Sequence, residues 1–175
     1  MLSERIKSAV REVPDFPKKG INFKDITPIL ENPKLCADIV NSFAKSFSNK
    51  SIDAIVGVES RGFLFGMMIA QKLNIPFFTV RKKGKLPYKT ISYKYDLEYG
   101  TAEVEMHIDT VKKGWNVIVH DDLLATGGTA VAAAELVRMQ GGNVAGFAFV
   151  IELSFLEGAK KLKSYSENIV KLVSY

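Results

Sequence analysis

Apolar residues along the chain recur with two periods, which predict an alternation of helices and strands. A spacing of three to four residues predicts helices over 2–13, 32–47, 62–73 and 130–140. Short continuous apolar runs predict buried strands over 53–58, 76–80, 115–119 and 143–153. A short helix near 155–162 and a strand near 169–173 complete the series. This alternation predicts an α/β fold with a mostly parallel sheet and helices on both of its faces.

Two segments depart from the alternation. Polar and apolar residues alternate over 91–97 and 101–108, which predicts a two-stranded antiparallel excursion that turns around residues 98–100. The segment 14–28 is rich in proline and turn residues and lacks a helical period. We therefore expect no helix in that segment, and its first prolines should end the helix that precedes it.

Length and composition favour one folded unit. The chain has 175 residues, 47% of them hydrophobic, which is enough to bury a substantial core in a single domain over 1–175. The sequence shows no apolar run near the roughly 20 residues that cross a bilayer, and its first residues have an amphipathic pattern rather than that of a signal peptide. We therefore expect a cytoplasmic protein with no membrane partner. The single cysteine, Cys36, lies on an apolar helix face and is expected to be buried.

The positive charge is concentrated rather than spread. Much of the net charge of +5 comes from the segment 81–85 and from three lysines between residues 160 and 163. The first cluster is short and lacks the interleaved aromatics of single-strand binders, so we expect no nucleic-acid partner. A compact polyphosphate suits it better, and the three lysines read as a solvated helix face. The sequence also offers no cysteine and histidine cluster for zinc.

The segment 117–130 joins a buried strand to groups that bind sugar phosphates. Asp121 and Asp122 are expected to leave the strand at its carboxyl end, where open α/β sheets bind ligands. The loop Ala125, Thr126, Gly127, Gly128 and Thr129 then offers amides, hydroxyls and a helix N-terminus to an anion. The acids suit sugar hydroxyls and the loop suits a phosphate. An ordinary strand, glycine turn and helix is the alternative interpretation.

His120 immediately precedes the acids. Strand alternation places it on the opposite face from Asp121. A lone histidine in such a position is more often a packed side chain with a hydrogen-bonded neighbour than a catalyst. We expect that packed role here.

The segment 121–129, DDLLATGGT, resembles the 5-phosphoribosyl-1-pyrophosphate (PRPP) binding motif of type I phosphoribosyltransferases, and specifically that of the adenine phosphoribosyltransferases. The resemblance implies the type I phosphoribosyltransferase fold with a small N-terminal hood over about 1–33 and a flexible antiparallel catalytic loop over about 84–105. It implies transfer of the 5-phosphoribosyl group from PRPP to N9 of adenine, giving AMP and pyrophosphate. Mg²⁺ would be held mainly by PRPP and pyrophosphate, so no metal-ligating residue of the protein is expected.

Two further segments resemble pyrophosphate-binding parts of the same family. The segment 59–66, ESRGFLFG, implies that Ser60 and Arg61 contact pyrophosphate while the Arg61 backbone faces the base. The segment 81–87, RKKGKLP, implies that Arg81, Lys82 and Lys85 approach pyrophosphate and that part of the stretch lies near a partner subunit. A homodimer is therefore expected. Without these companion motifs, a surface cap or ion pair would be the simpler role for Arg61.

The hood motif implies the adenine site. The segment 14–28, PDFPKKGINFKDITP, resembles the family's hood, in which Phe23 would stack on adenine. Asn22 stands where relatives often carry an apolar residue, and its main chain would read the adenine edge. Leu123 would contact the other side of the base. On its residue type alone, Phe23 could equally anchor the irregular loop as a core side chain.

The segment 92–100, which ends in LEYG, matches the family's flexible catalytic loop. Glu98 is the candidate general acid/base for N9, and Tyr99 belongs to the same loop. Closure of 88–100 would exclude water from a cationic ribosyl carbon, which Asp121 and Asp122 would stabilise. A PRPP- or nucleotide-binding regulator of the same fold, or a phosphoribosyltransferase for another base, remains an alternative.

Overall fold

The structure of the chain, a computed structural model, describes residues 1–96 and 100–175. Two strands near the N-terminus, β1 (Arg11–Pro14) and β2 (Asn22–Asp25), pair antiparallel. Within the described residues a further seven strands form the main sheet: β3 (Ala54–Val58), β4 (Phe77–Lys82), β5 (Thr90–Asp96), β6 (Thr101–His107), β7 (Asn116–Leu124), β8 (Asn143–Glu152) and β9 (Ile169–Ser174). The helices are α1 (Leu2–Ala9), α2 (Thr27–Leu30), α3 (Pro33–Phe47), α4 (Gly62–Leu73), α5 (Gly128–Met139) and α6 (Gly158–Leu162), with a 3₁₀ turn over Ser154–Leu156.

The main sheet has the order β5-β6-β4-β3-β7-β8-β9. Its β3, β4, β7, β8 and β9 run parallel, while β6 pairs antiparallel with both β4 and β5. The predicted antiparallel excursion is therefore confirmed, and it extends one edge of the central sheet. The chain passes from β3 toward one edge and from β7 toward the other, so a crevice lies at their carboxyl ends.

Alternation along the central strands divides the interior into two cores. Val56 and Val119 face α5 and α6 on one side of the sheet. Ile55 and Ile118 face α1, α3 and α4 on the other. Because β3 is buried at every position, it has a continuous apolar run instead of an alternating one. Helices on both faces of a mostly parallel sheet confirm the predicted fold class.

Two helix predictions agree closely with the structure. Asn32 caps α3, since its side-chain oxygen accepts a hydrogen bond from Leu35 N–H at 3.0 Å, and Pro33 occupies the first turn. The bounds of α4 are those that the apolar spacing predicts. The cysteine of α3 is buried, as expected. No helix among the described residues is long and apolar enough to span a membrane.

The N-terminal helix is shorter than predicted, so its predicted extent is wrong. α1 ends at Ala9, and Val10 adopts an extended conformation. The following residues form β1, which pairs with β2 in the register Val13↔Phe23. Strand pairing across a proline-rich turn thus overrides the helical period of the apolar residues.

The acid pair does not leave its strand, contrary to the sequence prediction. Strand β7 continues to Leu124 because its pairing with β8 persists through Asp121↔Phe149 and Leu123↔Ile151. On the other side, pairing with β3 stops at Gly57↔His120. The acids therefore lie on the part of β7 that extends beyond the end of β3, beside the loop that follows β3. Helix α5 begins at Gly128, two residues before the predicted start.

Candidate active site

A five-residue loop after β7 forms an anion-sized cavity. Gly127 has a φ of +80° and precedes the first turn of α5, where the amides lack partners within the helix. The cavity has a volume of about 80 Å³ and is lined by Asp121, Leu123 and the loop Ala125–Thr129. Free amides and the positive end of a helix dipole favour an anion such as phosphate at this position.

Gly158 supports this loop, and sequence reasoning missed it. A Cβ at Gly158 would lie 2.2 Å from Ala125 O and 3.0 Å from Gly127 N. A Cβ at Gly127 would in turn lie 2.8 Å from Gly158 O. Only glycines allow the two backbones to approach so closely. The contact joins segments about thirty residues apart, and nothing in the local pattern around Gly158 signals it.

The two acids of β7 form a partly buried carboxyl pair. Asp121 is half-buried, and its Oδ1 accepts a hydrogen bond from Asp122 N–H at 2.8 Å. Asp122 is only 2% exposed. Burial, followed by the negative charge of Asp122, raises the pKa of Asp121 well above that of an ordinary aspartate. Burial also raises the pKa of Asp122, against the opposing charge of Arg61.

Arg61 approaches the acid pair from the loop that follows β3. Its Nε lies 2.9 Å from Asp122 Oδ2, an ion pair that lacks hydrogen-bond alignment. A Cβ at Gly62 would lie 2.9 Å from His120 O and 3.0 Å from Asp121 Oδ1. Glycine at 62 therefore allows the loop to pack directly against β7. Ser60 belongs to the same loop and is exposed, so of the two predicted pyrophosphate residues of this motif Arg61 is the one that contacts the acids.

Phe23 connects the N-terminal hairpin to this group. The Arg61 guanidinium carbon lies 5.0 Å from the centroid of the Phe23 ring, and Phe16 packs edge-to-face against the same ring at 5.3 Å. Phe23 is half-buried and belongs to neither core, which argues against its role as a core anchor. The Asn22 side chain donates to Glu12 Oε2 at 2.9 Å, so that side chain is directed along the hairpin.

The basic segment after β4 is held by two carboxylates that sequence reasoning also missed. Glu59 accepts hydrogen bonds from Arg81 Nε at 3.3 Å and Nη2 at 3.2 Å, and from Lys82 N–H at 2.8 Å. Burial opposes ionisation of Glu59, but these donors outweigh it and lower its pKa. Arg81 thus lies beside the loop that carries Arg61, while the side chains of Lys82 and Lys85 are exposed.

Glu105 fixes the next turn of the basic segment. This residue of β6 is 2% exposed and accepts hydrogen bonds from Lys85 N–H and Leu86 N–H, both at 3.0 Å. It also accepts one from the Thr90 hydroxyl at 3.0 Å. Burial opposes ionisation, yet the donors prevail and lower the pKa of Glu105. The segment's shape therefore depends on acids that lie 19 to 23 residues away in sequence.

The candidate acid/base, Glu98, and its neighbour Tyr99 lie outside the described residues, so their assignments stay predictions. The preceding strand does reach the site. The Tyr95 hydroxyl oxygen lies 3.1 Å from Thr129 Oγ1 on the loop of the cavity. Sequence reasoning assigned no role to Tyr95.

His120 lies on the far face of β7, as predicted, but without its expected partner. Its side chain is fully buried and packs edge-to-face against Phe43 at 5.6 Å. Neither ring nitrogen makes a hydrogen bond of normal geometry with a described residue, so the expected bonded neighbour is not found, although the Ala148 backbone opposes part of the effect of burial on the pKa of His120. Burial lowers the pKa of His120 to about 4, so the ring is neutral at pH 7.

Known proteins are similar to this chain over nearly its whole length. Residues 25–173 match the family model described as the phosphoribosyl transferase domain. The adenine phosphoribosyltransferase of Methanococcus vannielii is 52% identical over 170 residues, which cover 97% of each chain. The crystal structure of the Thermoanaerobacter pseudethanolicus adenine phosphoribosyltransferase superposes with a TM-score of 0.95 at 49% identity, covering 99% of both chains. That of Saccharomyces cerevisiae, complexed with adenine and an imino-altritol bisphosphate, gives 0.91 at 40% identity over 98% of both.

Proposed function

The chain belongs to the adenine phosphoribosyltransferases, which have the type I phosphoribosyltransferase fold, and from this premise we propose how its residues act. It is a glycosyltransferase of purine salvage that transfers the 5-phosphoribosyl group from PRPP to N9 of adenine, giving AMP and pyrophosphate. We assign the roles from one observation. A carboxyl pair, an anion-binding loop and an arginine that lies over an aromatic ring come together at one edge of the sheet.

The loop Ala125–Thr129 binds the 5-phosphate of PRPP and of AMP. Its cavity of about 80 Å³ suits a phosphate group, and the first amides of α5 are available as donors. Because Asp121 lines the same cavity, a ribose whose phosphate occupies the loop extends toward the acids. The phosphate thus fixes the position of the reacting carbon.

Asp121 and Asp122 accept hydrogen bonds from the ribose hydroxyls and stabilise the ribosyl carbon as its bond to pyrophosphate breaks. A cationic carbon near two buried carboxylates is stabilised more strongly than one in water. The raised pKa values show that burial works against the charged form before substrate binds. A positive charge that develops on the ribose relieves that cost, so the interaction is strongest in the transition state.

Adenine stacks on Phe23 next to the acid pair. Arg61 supports this role, since its guanidinium lies over the ring and its charge contacts Asp122. Leu123 lines the cavity on the strand beside Asp122 and supplies apolar contact from the other side. Since the Asn22 side chain is bonded to Glu12, the Asn22 main chain is the part that reads the purine edge.

Pyrophosphate binds where the loop of Ser60 and Arg61 meets Arg81, Lys82 and Lys85. The hydrogen bonds from Arg81 to Glu59 bring the two segments together. The described residues form no cluster of three or more acidic, cysteine or histidine side chains that would cage a cation. The oxygen ligands offered by PRPP and pyrophosphate suit Mg²⁺, which when bound would neutralise charge on the leaving group.

Glu98 accepts the proton that N9 of adenine loses as N9 forms its bond to the ribosyl carbon. This part of the proposal rests on the sequence motif, since a carboxylate is a suitable acid/base group for such a step. Closure of the segment 88–100 over the reactants would exclude water.

We propose a homodimer in the cytoplasm. Leu64, Met67 and Met68 are exposed on one face of α4, at 42%, 53% and 38%, an arrangement that favours burial against a second copy. A charge on this face, as in Met67→Glu, should shift the sedimentation of a dimer toward that of a monomer. PRPP and AMP are polyanions that cross bilayers poorly, which supports a cytoplasmic location. Cell fractionation tests that location.

The test of function is base specificity. Purified protein is incubated with PRPP, Mg²⁺ and one of the bases adenine, hypoxanthine, guanine or orotate. The nucleotide product of each base and the released pyrophosphate are quantified. We expect rapid turnover of adenine alone, with the Asp121→Asn/Asp122→Asn double variant as the inactive control. Equal turnover of hypoxanthine would refute the adenine assignment. PRPP binding without any turnover would favour the regulator.

A further inference from the structure

Tyr95 lies on the antiparallel edge of the sheet, yet its side chain reaches the phosphate loop. Its hydroxyl oxygen is 3.1 Å from Thr129 Oγ1. A Cβ built at Gly128 would lie 3.4 Å from the Tyr95 ring, so the ring covers the first residue of α5. The side chain is half-buried, and the ring also packs against the core beneath α5.

The contact comes from outside the cavity. Thr129 lines the cavity, whereas Tyr95 is not among its lining residues. Tyr95 therefore contacts the lining of the cavity through Thr129. The hydroxyl of Thr129 has one hydrogen and an oxygen that can accept, so it can bond to two groups at once.

Phosphate binding decides the direction of this hydrogen bond. A phosphate only accepts, so the Thr129 hydroxyl must give its single hydrogen to the anion. Its oxygen is then left to accept the hydrogen of Tyr95. Each bond in such a chain polarises the next, which strengthens the hydrogen bond to the phosphate.

From this geometry we infer that Tyr95 is a positioning residue for the 5-phosphate, which orients the Thr129 hydroxyl toward the anion. The inference rests on the proposed phosphate role of the loop. Tyr95 also ties strand β5 to the helix N-terminus that binds the phosphate. In the sequence, Tyr95 precedes the candidate acid/base, Glu98, by three residues.

The substitution Tyr95→Phe removes the hydroxyl and keeps the ring. A neutral hydrogen bond contributes about three- to tenfold in an equilibrium constant. The Kd of AMP and the KM of PRPP should therefore rise about three- to tenfold, while the Kd of adenine, which has no phosphate, stays unchanged. Tyr93→Phe is the matched control, because Tyr93 lies two positions earlier on the same strand and its hydroxyl makes no hydrogen bond with a described residue.

Thr129 variants separate this inference from the assignment of the loop. Thr129→Val alone should weaken AMP binding, and adding Tyr95→Phe to it should cause no further loss of affinity. Thr129→Ser keeps the hydroxyl and should keep the dependence on Tyr95. Calorimetric titration with AMP and with adenine measures these effects, and melting temperatures confirm folding.

Three results would overturn the inference, and they differ in meaning. If Thr129→Val weakens AMP binding while the Tyr95→Phe protein binds AMP at least as tightly as the wild type, the tyrosine has no positioning role. If Thr129→Val binds AMP as tightly as the wild type, the Thr129 hydroxyl does not contribute to phosphate binding and the inference fails, while the proposed binding of phosphate by the loop amides still stands. Equal weakening of AMP and adenine by Tyr95→Phe would show a general structural effect and would also refute the inference.

Discussion

Replacing His120 with valine should remove a source of acid instability without loss of activity. The imidazole is fully buried, its two nitrogens have no hydrogen-bond partner among the described residues, and Phe43 packs against the ring. A charged imidazolium in that position would be unsolvated and unpaired. The native protein therefore resists protonation of His120, whereas the unfolded chain accepts the proton readily.

The size of the effect follows from the two pKa values. Burial lowers the pKa of His120 from 6.5 to about 4 in the folded protein. Between these values the unfolded chain binds a proton that the native state does not, so the free energy of unfolding falls as the pH falls. Each pH unit costs up to about 1.4 kcal/mol, which gives a total of about 3 kcal/mol between pH 7 and pH 4. Above pH 7 this loss is absent.

The measurement compares urea unfolding of the wild type and His120→Val across pH 4 to 7.5. The other titrating groups contribute equally to both proteins, so the difference between the two free energies isolates His120. That difference should move in favour of the variant by about 3 kcal/mol as the pH falls from 7 to 4. His107→Gln is the matched control, because His107 is half-buried and its Nε2 lies 2.7 Å from Pro87 O.

Parallel pH profiles for the wild type and His120→Val would refute the reasoning, since they would mean that the buried ring titrates as it does in the unfolded chain. Activity supplies a second check. The ring faces the core under α3, so kcat at pH 7.5 should stay near the wild-type value. A fall of more than about a hundredfold would give His120 a chemical role.

Four further substitutions test the site. Asp121→Asn should lower kcat about a hundredfold or more with little change in the KM of PRPP, and Asp122→Asn should have the same effect on kcat and KM. Asp121→Asn should also raise the melting temperature at pH 7, because a raised pKa means that ionising this acid destabilises the folded protein at a pH above that pKa. A higher KM with kcat intact, or a lower melting temperature, contradicts this reasoning. Glu98→Gln should lower kcat by about 10² to 10⁴ while PRPP still binds, and an unchanged kcat in steady-state assays would remove Glu98 from the chemistry. Gly158→Ala should lower the free energy of unfolding in urea by about 1–3 kcal/mol and weaken AMP binding, because its Cβ would lie 2.2 Å from Ala125 O. An unchanged free energy of unfolding would show that the loop shifts freely.

The fold could largely be predicted from the chain because its elements have distinct periods. Strands such as β3 are buried on both faces and are therefore continuously apolar, and α3 carries its own cap at Asn32. The errors occur where pairing between distant segments decides the outcome. Val13 fits a helical face, but its pairing with Phe23 places it in a strand. Two aspartates interrupt the apolar run of β7, yet pairing with β8 carries the strand past them.

The candidate site was predictable to the extent that its residues are contiguous in sequence. The loop from Ala125 to Thr129 is a local motif of glycines and threonines that can be read directly. Glu59 and Glu105 have no such signal, since each becomes important only through donors about 20 residues away. The same holds for Gly158, whose partner loop is fixed by backbone contact alone.

Arg61 shows how one motif joins the fold to the chemistry. Because a Cβ at Gly62 would collide with His120 O and approach Asp121 Oδ1, only glycine lets this loop pack against β7, and that packing brings the Arg61 guanidinium to the acids. The charge of Arg61 lowers the pKa of Asp121 and of Asp122 against the larger effect of burial. The carboxylates are useful to a cationic ribosyl carbon only when ionised. Arg61 therefore favours the ionised form that the proposed role of the acids requires, against the larger effect of burial, and this effect depends on the glycine beside it.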